Sequence, residues 1–197
     1  MKNRIEDKSQ RKSAVIVGVL ILIGYGVLFS GGLEPLIVML IELISGVAVI
    51  GIAFIMFPIL KPHNKRLTLG YVVSKVVEGA ILIIGGILLL SLSTTLLEVR
   101  DWIYVSQAYI FILGALIFYY LLYRSKLIPR FISVWGVIAA IMLLVGNLLE
   151  IMGFSPEMLI FLYLPIMLNE VFLAIWLIVK GFNSDAIVSG AVKTDIN

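Results

Sequence analysis

Six apolar stretches follow one another along the chain, separated by short polar clusters: Ser13 to Phe29, Glu34 to Leu60, Leu67 to Leu97, Trp102 to Tyr123, Phe131 to Met152 and Glu157 to Lys180. At a rise of about 1.5 Å per residue, helices of these lengths match a hydrocarbon core about 30 Å thick. A segment surrounded by lipid must satisfy its own backbone polar groups, which leaves helices or a closed barrel. Barrel strands would show shorter segments of alternating polarity, so these continuous runs predict helices. The links GGLEP, KPHNKR, EVRD, RSKLIP and GFSPE carry glycine, proline or charge, as chain reversals do. Links this short make consecutive helices antiparallel neighbours. The expectation is an all-α polytopic membrane protein, a bundle of six transmembrane helices.

Composition supports that class. The chain has 197 residues, 61% hydrophobic and only 14% charged, with a mean hydropathy of +1.14. A soluble domain carries roughly twice that charge. The basic pI of about 9.1 does not describe a nucleic-acid surface, because the cations are scattered among short loops beside apolar spans. The opening MKNRIEDKSQRK has the charge of a signal peptide. The apolar run behind it is long for such a segment and no small-residue cleavage site follows, so it is read as an uncleaved first helix.

Cations also predict orientation. Of the fifteen Lys and Arg, thirteen fall on one side of the alternating topology: Lys2, Arg4, Lys8, Arg11, Lys12, Lys61, Lys65, Arg66, Arg124, Lys126, Arg130, Lys180 and Lys193. Arg100 alone falls on the other side, and Lys75 lies in the membrane. By the positive-inside rule both termini are cytoplasmic, in a cytoplasmic membrane. The domain division is then a basic cytoplasmic segment 1–12, a transmembrane domain 13–181 and a cytoplasmic tail 182–197.

The chemistry lies in the few ionisable groups inside the spans. Each costs about 2.5–3.5 kcal/mol at the bilayer centre and is expected to face the interior beside a partner. Lys75 and Glu78 are three residues apart, hence on one helix face. Glu170, beside Asn169 and five residues beyond the helix-interrupting Pro165, falls at nearly the same depth. One ammonium facing two carboxylates is the signature of a proton- or cation-responsive site formed by Lys75, Glu78, Asn169 and Glu170. The plainer alternative is a self-neutralised Lys75–Glu78 pair, with Glu170 bonded to Asn169 or to hydroxyls. A second polar cluster toward the outer side would combine Glu42, Arg100, Asp101, Asn147 and Glu150, where side chains can also simply reach water. Glu78 and Glu170, each in the third helix of its half, are only a faint echo of an inverted repeat.

Other signals are weak. The absence of cysteine excludes disulfides, thiolate nucleophiles and cysteine-based metal sites. His63 stands in KPHNKR without a second ligand, so no metal or cofactor is implied. Hydrolase and nucleotide-binding motifs are missing. The pairs Gly26/Ser30 and Gly136/Ala140 permit close helix approach. Trp102, Trp135, Trp176, Tyr119, Tyr120 and Tyr123 are expected as interface anchors.

The segments LPIMLNEVFLAIWLIVKGFN, YYLLYRSKLIPRFISVWG, IELISGVAVIGIAF and AVKTDIN resemble an uncharacterised prokaryotic membrane-protein family catalogued as domain of unknown function 4386. The likeness covers nearly the whole chain and is most specific in YRSKLIPRFISVWG and WLIVKGF. It implies a multi-pass membrane protein with no assigned activity, so no residue role carries over. Family members often have a longer segment before the equivalent of RDW, where this chain has only EVRD. The reading that follows is small-solute or ion/proton-linked translocation through the buried charged site. Its alternatives are a partner-binding or sensory membrane protein, or an intramembrane enzyme acting on lipid. The implied partners are the bilayer and a small solute or cation, with no nucleic acid.

Overall fold

A computed structural model describes residues 2–91, 93–183 and 186, with the side chains of 2–8 excepted. Most of the expected tail 182–197 therefore lies outside the described residues. The chain forms α1 (Lys2–Gly24), a 3-10 turn (Tyr25–Phe29), α2 (Pro35–Leu60), α3 (Lys65–Leu89), α4 (Thr94–Ser125), α5 (Arg130–Ile151) and α6 (Pro156–Val179). All six helices are long and apolar enough to cross a membrane. The described residues contain no strand.

Local chemistry sets most of the ends. Pro35 and Pro156 begin α2 and α6, where the missing N–H costs nothing. The Asn64 side chain accepts from Leu67 N at 3.1 Å and caps α3. Gly153 and Gly181 take the left-handed conformation that closes α5 and α6, with φ of 95° and 78°. At the α6 end, Arg11 of α1 donates to the free carbonyls of Ile178 at 2.7 Å and Val179 at 2.9 Å.

One expected boundary is wrong. The apolar pattern carries the third span to Leu97 with EVRD as the link, but α3 ends at Leu89 and α4 starts at Thr94. The reversal falls at the serines, where Ser93 N donates to Ser91 Oγ at 3.1 Å and Ser93 supplies the extended N-cap. EVRD is thus helical, and Arg100 and Asp101 sit on the second turn of α4. The first span differs as well, since α1 starts before Ser13 and its end tightens into the 3-10 turn.

Each helix packs on its neighbours in sequence, and α1 meets α6, so the six close into a ring. Glycines bring the backbones together around it. A Cβ at Gly46 or Gly79 would lie 2.6 Å from a carbonyl oxygen of the facing helix, so α2 and α3 touch backbone to backbone. Gly18 meets the Ala174 carbonyl of α6 in the same way. Gly85, Gly136 and Gly146 instead seat the rings of Tyr104, Tyr119 and Tyr163 on a neighbouring helix. Tyr119, expected as an interface anchor, is completely buried in that seat. Trp102 is 74% exposed, as an anchor is.

At the end of the ring where α1 begins and α6 finishes, the terminal end, the centre is solid. Met56, Leu60, Tyr119, Leu121, Leu122, Leu127, Ile132 and Leu177 fill it with almost no exposed surface. Above this plug the Tyr71 and Phe118 rings stack with centroids 4.9 Å apart. Toward the opposite end the helices enclose open space.

Candidate functional site

A cavity of about 580 Å³ occupies the middle of the ring and draws on every helix. Tyr71, Phe118 and Leu173 form its floor, about two turns short of the reversals at the terminus end. Its walls extend the other way to Leu28, Glu150 and Ile160, about one turn from the reversals at the far end. Leu28 and Ile160 are themselves surface residues, 58% and 43% exposed. The cavity therefore runs from the plug toward the opposite end of the ring, where residues that line it are themselves partly exposed.

The helical period decides which side chains face it. Tyr71, Lys75, Glu78 and Leu82 recur every three or four residues, so α3 presents one stripe to the space. Lys75 and Glu78 are 8% and 3% exposed and pair at 2.9 Å from Nζ to Oε2. The ammonium also lies over the Phe111 ring of α4, 4.7 Å from its centroid. Both demands of a buried cation, a counter-ion and an aromatic face, are met without help from outside.

Glu170 faces this pair from α6. The two helices form no packed interface with each other, and the cavity lies between them. Tyr25, carried in by the 3-10 turn, lines the same cavity as Glu170, Lys75 and Glu78. Glu170 makes no ion pair among the described residues. Lys75, Glu78 and Glu170 thus share one cavity, as their matched depths suggest.

Asn169 does not share it. One residue along a helix is about 100° around its axis, and this rotation turns Asn169 into the α5 interface. Its Nδ2 donates to Ile132 O at 3.0 Å, and the residue is fully buried. The expected site therefore loses Asn169 and gains Tyr25, which the polar pattern passed over because one tyrosine near a helix end carries no distinguishing signal.

The outer cluster divides in two. Glu42, 2% exposed, takes the Arg100 guanidinium at 2.6 Å, and Arg100 also donates to Gly85 O at 3.0 Å and lies over the Tyr104 ring at 4.5 Å. This group binds α2, α3 and α4 together. Asp101 is only 3.8 Å from Arg100, but its side chain is 79% exposed and belongs to the surface. Glu150 accepts from the Tyr163 hydroxyl at 2.8 Å, linking α5 to α6, while Asn147 bonds back to Leu143 O of its own helix. Both halves contribute to the cavity lining, Tyr104 from α4, Asn147 and Glu150 from α5, and Tyr163 from α6. Gln107, not singled out in the sequence, adds a polar side chain between the levels.

Among the described residues, no three acidic or imidazole side chains gather closely enough to hold a metal ion. The family model described as Domain of unknown function (DUF4386) matches residues 34–181. The chain belongs to this family. The matched range holds α2 to α6 and most of the cavity wall, leaving outside it α1 and the turn that supplies Tyr25. No curated protein and no solved structure matches the chain.

Proposed function

We propose that this member of the family binds a small solute at Lys75, Glu78 and Glu170 and moves it across the cytoplasmic membrane, with both termini in the cytoplasm. The observation that carries the reading is a ligand-sized cavity lined by three ionisable groups, Lys75, Glu78 and Glu170. A volume of 580 Å³ falls within the roughly 300–1,000 Å³ of small-molecule sites. A purely structural ion pair needs no such space around it. The shape also fits one state of an alternating-access cycle, with ionisable groups in a cavity just above an aromatic floor and a mostly aliphatic plug beneath it. Glu170, lacking a cation of its own, is the group able to exchange a proton or a cation with the solute.

The test is flux in proteoliposomes that contain a trapped pH-sensitive dye, challenged in turn with small organic cations, amino acids and sugars. At least one solute is expected to evoke protein-dependent proton movement, and Glu170→Gln and Glu78→Gln to abolish it. Equal responses from protein-free liposomes, or from the two variants and the unaltered protein, would overturn the proposal.

A further inference from the structure

We infer that the occupant is an organic cation with an aromatic or otherwise apolar body; the inference rests on the solute-binding reading and names its substrate class. Lys75 is committed to Glu78 at 2.9 Å and to the Phe111 ring, so the cavity offers no uncommitted cation to an anionic ligand. Two further carboxylates face the space, Glu170 near the floor and Glu150 at the mouth, and neither makes an ion pair among the described residues. The lining is therefore net negative, and a neutral or anionic solute leaves that charge unanswered.

The rest of the lining separates organic from inorganic cations. A hard metal ion needs about six oxygen ligands, carboxylates foremost, and among the described residues no three acidic or imidazole side chains gather to hold one. The wall is instead mainly apolar; Lys75 and Arg100 already lie over the Phe111 and Tyr104 rings, and the stacked Tyr71 and Phe118 together with Tyr25 and Tyr163 add further ring surface. Aromatic faces attract a diffuse cation and shed little by accepting an apolar body. The exposed rim at Leu28 and Ile160 lets such a body arrive from the lipid side of the mouth as well as from water.

A planar cation, 1-methyl-4-phenylpyridinium, and its neutral isostere, 4-methylbiphenyl, differ by little more than charge. The anion 4-biphenylcarboxylate completes the set. The purified full-length chain in nanodiscs, carrying Ala108→Cys as its sole thiol in the cavity wall, reports occupancy by protection from a maleimide. The cation is expected to protect at least about tenfold more strongly than either analogue, and Glu170→Gln to remove that preference. Glu170→Asp keeps the charge and is expected to retain most of it. Protection by the neutral isostere equal to that by the cation, or undiminished protection in Glu170→Gln, overturns the cation assignment while leaving a solute-binding cavity. A thiol that no maleimide reaches overturns both readings.

Discussion

The strongest local commitment in the bundle is the pair formed by Lys75 and Glu78. Removing one partner strands a charge among apolar groups, which typically costs about 3–5 kcal/mol, whereas replacing both with apolar residues of similar volume is often close to neutral. Lys75→Met is accordingly expected to lower the thermal midpoint in detergent sharply, and Lys75→Met with Glu78→Leu to recover most of the loss. Equal stability of the single and double variants would show that the pair is not energetically closed, and that water in the cavity screens it. The pairing was legible in the sequence because a spacing of three dictates it. The orientation of Asn169 was not, because depth says nothing about rotation. Two adjacent residues at one level face different worlds here, Asn169 the Ile132 carbonyl and Glu170 the cavity.

Helices meet in this protein through glycine, and the α2–α3 seam is the tightest case. A side chain at Gly79 meets Ile50 at 2.5 Å and the Gly46 carbonyl at 2.6 Å, and backbone cannot yield as a flexible side chain does. Gly79→Val is expected to separate the helices and cost about 1–3 kcal/mol. Gly31→Ala, at a position with open space around it, is expected to leave the melting temperature within error. Comparable losses at both positions would mean that glycine acts through chain flexibility instead of close packing. Sequence pattern showed where helices run but not where they touch, since a glycine in an apolar run looks the same whether it faces lipid or a tyrosine ring. The displaced reversal before α4 has a related cause. EVRD carries charge and so reads as a loop, yet Arg100 is charged because it reaches inward to Glu42.

For the molecule as a whole, the number of spans was written in the alternation of apolar runs with polar links, and the fold follows it helix for helix. The cavity was not written there. Its existence depends on how the six helices pack around one another, and that is decided by pairwise contacts such as Glu42 with Arg100 and Tyr163 with Glu150. What the sequence did supply was the reason to look, namely ionised groups too deep to be accidental. The central claim, a charged interior open to one face and sealed from the other, is tested most directly by sided labelling of a single thiol. The chain contains no native cysteine, so Ala108→Cys introduces the only one. In sealed membranes of known orientation, a membrane-impermeant maleimide is expected to react with it from the face opposite the termini and not from the face that holds them. Reaction from the terminal face alone, or from neither, would contradict the account.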